Sequence, residues 1–274
     1  MKPVSIFART LLADLPALAQ NPISWVSSTG SGNACTRTAP CANFQTAVNV
    51  TNAGGIVKAV DAADYNIVNI GKAITIDGNG VGAEIEVGAA FSAGISVSAG
   101  PVTISDLKIH TAANGYGITM GNADVHVENV TITGAPLYGV SANGTAFPVH
   151  LTAKNLTITG ASSAGIYIIN ASADIRDSVV RGTAGPGIYV RSLSSSPPAV
   201  ALIERTALSF NTTGLVADNL PGGGGATVRI SDSVITGNST GISAVNGGQI
   251  ITFRTNMLAG NSTDGSTPFS ISLK

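Results

Sequence analysis

From about residue 94 onward, apolar and polar positions alternate in short runs, and the runs return in phase. The pattern apolar-x-apolar-x-(Asn/Asp)-x-x-apolar occurs at Val102 to Ile109 (VTISDLKI), Val125 to Ile132, Leu151 to Ile158, Ala173 to Val180, Ala201 to Leu208, Val228 to Ile235 and Ile251 to Leu258. These seven copies follow one another at steps of 23, 26, 22, 28, 27 and 23 residues. Ahead of most copies a second run opens on glycine: GISV at 94, GITM at 117, GVSA at 139, GIYI at 165, GIYV at 187, GLVA at 214 and GISA at 241. A period of two predicts half-buried strands, about three to a unit, and no segment between them carries a helical period. Such a unit cannot bury a core alone, so the units must stack on one another.

Without helical crossovers a doubly wound sheet or a TIM barrel is excluded, and the irregular step excludes leucine-rich repeats. What remains is an all-β fold: a single-stranded parallel β-helix with about 22 to 28 residues per coil, each strand pairing with its equivalent about 4.8 Å away. Insertions that leave the coil at one corner account for the variable step. IVKAV at 56, YNIVNI at 65 and AITIDG at 73 read as earlier, less regular coils. A short helical stretch, Phe44, Ala47, Val48 and Thr51, is expected to cover the first coil, whose backbone groups would otherwise lack partners. The expected organisation is a signal-like or cap segment over 1–24, an N-terminal cap over 25–55, and the β-helix with its tail over 56–274.

The column Asp106, Asn129, Asn155, Asp177, Arg205 and Asp232 falls where the second strand of each unit must bend into the third. Asn and Asp tolerate the left-handed conformation and bond neighbouring backbone groups, so this column is expected to be a structural turn ladder.

Composition adds three constraints. With 14 basic and 15 acidic residues among 274, there is no cationic field for nucleic acid. No apolar run approaches the length that crosses a bilayer. The first twenty residues carry Lys2, an apolar stretch and Ala17-Leu18-Ala19, the outline of a secretory signal, yet Arg9 and Asp14 interrupt the apolar stretch. Read as a helix, Phe7, Leu11, Leu15 and Leu18 would share one face, and both readings stay open. Cys35 and Cys41 enclose five residues, which suits a disulfide staple in an oxidising compartment in preference to free thiols.

Taken together, WVSSTGSGNACTRTAPCANFQTAV at 25–48, GGIVKAVDAADYNIVNIGKAITIDG at 54–78, the GI-x-V and N-x-x-I coils, and TGISAVNGGQIITF at 240–253 resemble the bacterial right-handed parallel β-helix proteins of the pectate-lyase-like superfamily. The chain is similar in particular to a group of secreted proteobacterial members. The resemblance covers nearly all of the chain from Trp25 and implies a right-handed helix and a secreted, periplasmic or cell-surface setting. It implies no activity. The polygalacturonase set of Asn-Thr-Asp, Asp-Asp and Gly-His-Gly runs is missing, as is the acidic calcium cluster with its basic residue that pectate lyases carry, so no family catalytic residue transfers.

On a β-helix the side chains available for function alternate with the interior ones. In the Gly-led strand one outward column reads Ser96, Thr119, Ser141, Tyr167, Tyr189, Val216, Ser243, and a second reads Ser98, Gly121, Asn143, Ile169, Arg191, Asp218, Val245. Tyr167 and Tyr189, with Arg191 and Asp218 beside them, form either an aromatic platform for a sugar ring or a cross-strand pair that stabilises the sheet. The next strand presents Ser105, Glu128, Lys154, Arg176, Glu204, Ser231 and Arg254, charges expected to pair weakly on a solvated face. Glu84 and Glu86 sit about 7 Å apart on one strand, but an acid and base that straddle a sugar should come from different strands. His110, His126 and His150 occupy different columns, which gives no support to a metal site or a nucleophile triad. Val179, Ala207, Val234 and Met257 form an outward apolar strip, to be covered by the tail from Gly260 to Lys274 or used in self-association.

No catalytic residue, metal or cofactor is therefore expected. The leading expectation is a non-catalytic secreted or surface β-helix that binds a polysaccharide, a cell-surface glycan or another surface partner. Its rivals are a polysaccharide lyase or glycoside hydrolase with a non-standard site, and a purely structural envelope or adhesion component.

Overall fold

The computed structural model describes residues 21–112, 114–145, 148–193, 196–265 and 269–270. The signal-like segment, residues 1–20, lies outside them. The chain winds as a parallel β-solenoid of about nine coils, each with three faces.

The first face is a nine-stranded sheet made of the Gly-led strands and their relatives, from Val68–Gly71 through Tyr138–Asn143, Ala164–Ile169, Pro186–Ser192 and Thr213–Asn219 to Thr263–Gly265. The second and third faces join into one seventeen-stranded sheet, because Asp124–Gly134 and His150–Thr159 run unbroken through the bend that separates them elsewhere. Every strand pair is parallel, and from Val102 to the last coil the pairs keep the register the repeat implies: Val125 lies against Val102 and Leu151, and Ile132 against Ile109 and Ile158.

Inward positions form stacks of like residues. Ile95, Ile118, Val140, Ile166, Ile188, Leu215 and Ile242 on the first face are all buried, as are Ile85, Ile109, Ile132, Ile158, Val180, Leu208 and Ile235 on the third. Each full burial of such a side chain contributes about 1.5–3 kcal/mol. One corner of the interior is polar. Asn211 Nδ2 donates to Asn238 Oδ1 at 3.1 Å, and Asn238 Nδ2 to Asn261 Oδ1 at 2.9 Å, while the same amides cap the carbonyls of Val180, Leu208 and Ile235. Buried amides are tolerable here because each is satisfied by its copy one coil on.

At the bend between second and third faces, Asp106, Asn129, Asn155, Asp177, Arg205 and Asp232 all have left-handed backbone, with φ from 47° to 56°. Their side chains link coil to coil: Asn129 donates to Asp106 at 3.0 Å, Asn155 to Asn129 at 2.8 Å, and the Arg205 guanidinium lies 2.7 Å from Asp177. That ion pair, with the bond from Arg205 first, holds the Asp177 carboxyl below its ordinary range.

The cap is built as expected from its helix. Phe44–Val50 is helical, Asn43 caps it by accepting from Thr46 N at 2.8 Å, and Phe44, Ala47 and Val48 are buried over the first coil. Cys35 and Cys41 are joined by a disulfide. The stack begins earlier than residue 56, however, since Asn21–Val26 pairs in parallel with Thr51–Ala59.

One reading is corrected at the other end. Val228 pairs with Ile250, not Ile251, and Val234 pairs with Met257, so the last coil carries one extra residue in its bend. Ile250 is buried and Ile251 only partly, as a one-residue slip demands. Arg254 consequently belongs to the left-handed bend, at φ 63°, and not to the outward column with Ser231. Of the tail expected to cover the apolar strip, residues 260–265 and 269–270 are among the described ones. Thr263–Gly265 continues the nine-stranded sheet, Phe269–Ser270 pairs with Ile251 and Thr252, and Met257 is 53% exposed.

Candidate functional site

Strand register sets the outer surface of the first face. Ser96, Thr119, Ser141, Tyr167, Tyr189, Val216 and Ser243 stand in one column, each opposite the next, and Asn143, Ile169, Arg191, Asp218 and Val245 in the column beside it. The two halves of this surface differ in construction.

In the C-terminal half the structure brings together all four residues of the aromatic cluster. Tyr167 and Tyr189 stack with ring centroids 5.1 Å apart at 27°. The stack is longer than the sequence reading had it: Tyr138 lies 4.8 Å from Tyr167 and Tyr116 5.9 Å from Tyr138, so four tyrosines pile up along four successive coils. Tyr116 and Tyr138 open their strands just ahead of the glycine, outside the two columns, and the repeated Tyr-Gly at 116 and 138 is the signal that marks them.

Asp218, expected on the outside, is buried. Tyr189 Oη donates to its Oδ2 at 2.7 Å, Asn246 Nδ2 donates to its Oδ1 at 2.8 Å, and Arg191 Nε lies 3.2 Å from Oδ2. Arg191 also reaches the Tyr167 hydroxyl at 3.5 Å and lies over the Tyr189 ring at 5.8 Å. Burial, then the bond to Asp218, pushes the Tyr189 hydroxyl far above the ordinary phenol range. The Tyr167 bond, followed by the neighbouring rings and Asp218, likewise holds Arg191 firmly protonated. Neither group is a base near neutral pH, and the tyrosine faces are spent on one another. The cluster is a closed knot.

The N-terminal half is open. A groove of about 500 Å³ runs over Ser96, Ser98, Thr119, Asn122, Ser141 and Asn143, with Gly121 in its floor. Ser98 and Asn143 are engaged locally, with Ile70 O and Thr145. Within the described residues the hydroxyls of Ser96, Thr119 and Ser141 make no side-chain hydrogen bond, and no ionisable side chain lines the groove. Each hydroxyl both donates and accepts, and the three recur one strand spacing apart, about 4.8 Å. Tyr167, one coil beyond Ser141 in the same column, bounds the groove at that end.

Elsewhere, Lys154 pairs with Glu128 at 2.8 Å and holds its carboxyl below the usual range, with a lesser contribution from His126. Glu84 stands opposite Lys108 and Glu86 opposite His110, both outward on the third face. No group of metal-binding side chains occurs among the described residues. Two exposed aromatics escaped the sequence reading: Phe91 and Phe210, 71% and 66% exposed, both with left-handed backbone. Phe210 stands at a corner where Gly134, Gly160, Gly182, Gly237 and Gly260 serve other coils. His150, isolated in sequence, meets Ser172 and Asp174 across the strand pair, with Nδ1 2.8 Å from Ser172 Oγ and Nε2 3.6 Å from Asp174 Oδ2.

The family model for the right-handed β-helix region matches residues 93–258, more than half of the chain. Among solved structures the chain is similar to the pectate lyase Pel9A, at 14% identity and a TM-score of 0.57, over 93% of this chain and 78% of that one. It also aligns with an alginate lyase from Paenibacillus sp. str. FPU-7, at 12% identity and a TM-score of 0.42, over 90% and 97% of the two chains. A third alignment is with the A-module of the mannuronan C-5 epimerase AlgE4 from Azotobacter vinelandii, at 13% and 0.40, over 92% and 89%. No curated protein matches the chain by sequence. At these identities the likeness extends to the fold alone.

Proposed function

The chain belongs to the right-handed β-helix family, and from that premise we propose that it binds a neutral, polyhydroxylated glycan along the first face without cleaving the glycan backbone. The observation that carries this reading is the groove of unengaged hydroxyls at Ser96, Thr119 and Ser141, which has no ionisable side chain in its lining. A sugar chain laid along the solenoid axis meets one such hydroxyl per coil, and exchanges hydrogen bonds with it in either sense. An acidic polymer would need compensating cations, which the groove does not supply. Lyase or hydrolase chemistry there would need an acid or a base in the groove, whose lining has no ionisable side chain, and further along the face Tyr189, Arg191 and Asp218 are locked into one another. A secreted or cell-surface bacterial setting fits the Cys35–Cys41 disulfide.

The test is retention on immobilised neutral and acidic polysaccharides, with reducing-end release and unsaturated uronate monitored in parallel. Thr119→Val combined with Ser141→Ala should weaken retention on a neutral glycan about tenfold with folding intact. Unchanged retention, or turnover of any backbone, would overturn the reading.

A further inference from the structure

We propose that Ser172, His150 and Asp174 form an acyl-ester hydrolysis site on the second face, with Ser172 as nucleophile, His150 as general base and acid, and Asp174 as the residue that positions the imidazole. The three come from two adjacent coils. Ser172 stands directly opposite His150, and Asp174 follows Ser172 by two residues, so all three side chains project from the same side of the sheet. Asp174 Oδ2 lies 3.6 Å from His150 Nε2, and Ser172 Oγ 2.8 Å from Nδ1. A carboxylate on Nε2 favours the tautomer with its proton there, and that leaves the Nδ1 lone pair facing the serine hydroxyl. The hydroxyl has a second acceptor, Val149 O at 3.3 Å, and the imidazole is the nearer of the two. This is the relation of nucleophile, base and orienting carboxylate that activates a serine, and such contacts are commonly looser before substrate binds.

Ser172 also borders a cavity of about 340 Å³ whose lining is mainly apolar, including Val149, Pro197, Pro198 and Val200. Val200 is the residue opposite Ser172 on the side away from His150, so the serine lies between its base and an apolar acceptor for an acyl chain. Asn170 and Thr145 supply the polar wall, with Asn170 Nδ2 donating to Thr145 Oγ1 at 3.1 Å.

The chemistry closes with water as co-substrate. Ser172 Oγ bonds to the ester carbonyl carbon as its proton passes to His150 Nδ1; the carbon–alkoxy bond then breaks and the alcohol leaves with that proton. Water next attacks the acyl-serine, gives a proton to His150, and the carboxylic acid departs as Ser172 recovers its hydrogen. The substrate class is a short-chain acyl ester. Thr145 lines both this cavity and the groove of the first face, which makes acyl groups on a groove-bound polymer a natural source. The site itself stands whether or not the groove holds a glycan.

The experiment uses the whole chain with p-nitrophenyl acetate and butyrate, and with a fluorophosphonate probe read by peptide mass spectrometry. Ser172 should carry the probe, and Ser172→Ala and His150→Gln should each lower kcat/KM by about 100-fold or more. Asp174→Asn should lower kcat with KM unchanged, and Asp174→Glu should restore part of it. All of these positions face solvent at least in part, so circular dichroism should show native folds. Probe on another residue, no probe at all, or a Ser172→Ala protein that hydrolyses both esters at the wild-type rate would overturn the proposal.

Discussion

The two halves of the nine-stranded sheet carry the same column of outward positions and use it in opposite ways. Around Ser96, Thr119 and Ser141 the side chains are short, so hydroxyls stand clear and a groove forms between them. Around Tyr167 and Tyr189 the side chains are long enough to reach one another, Arg191 and Asp218, and the surface closes over itself. Position in a strand decides which way a side chain points; its neighbours one coil away decide whether a ligand can reach it. Long residues that look most like a binding platform are here the ones that hold the stack together.

Four outcomes would sharpen or break that contrast. The largest is Asp218→Ala, which leaves the Tyr189 hydroxyl, the Asn246 amide and the Arg191 guanidinium without their common partner; urea unfolding should show a loss of about 4 kcal/mol. Tyr167→Ala, which opens a hole in the middle of the four-ring stack, should cost about 3 kcal/mol and leave glycan retention unaltered once the protein is folded. A loss of retention at wild-type stability would instead return the platform role to the tyrosines. Thr119→Val with Ser141→Ala should do the reverse, shifting stability by less than about 0.5 kcal/mol. Smallest of all, retention on a neutral glycan should stay level between about 50 and 500 mM salt and from about pH 5 to 8, since no charge lines the groove.

Acid should weaken the tie between Ser27, Ser28 and Asp61. The Asp61 carboxyl is lowered from 3.8 to about 2, chiefly by the Tyr65 hydroxyl and further by Ser28 and Ser27. A depressed carboxylate contributes stability above its unfolded value, and that contribution is lost as pH falls through about 2. A denaturation midpoint that declines between about pH 4 and 2 in the wild type, and less steeply in Asp61→Asn, is the expected result.

The fold was legible because its rule is local and repeated. Alternation gives the strands, the phase of the repeat gives the register, and the Asn/Asp bend marks where the second face of each coil turns into the third. The rule failed where one residue was added, at the bend near Arg254, because the sequence offers both Ile250 and Ile251 for the same interior place and only packing chooses between them. The outward columns were legible for the same reason as the core. What was not legible is contact between columns: that Asp218 sinks beneath Tyr189, that Tyr116 and Tyr138 lengthen the stack, or that His150 meets Ser172, 22 positions on in the chain. Those meetings depend on rotamers and on the length of each coil, neither of which periodicity encodes. Phe210 makes the complementary point, since only alignment of the coils shows that it keeps a left-handed corner that five glycines fill elsewhere.

The central claim is that the open half of the sheet, and not the tyrosine knot, holds the glycan. Backbone amide shifts recorded while a retained neutral oligosaccharide is titrated in test it most directly. The account predicts saturable shifts centred on residues 96–98, 119–122 and 141–143, with 189–191 and 218 unmoved; shifts confined to the tyrosine knot would contradict it.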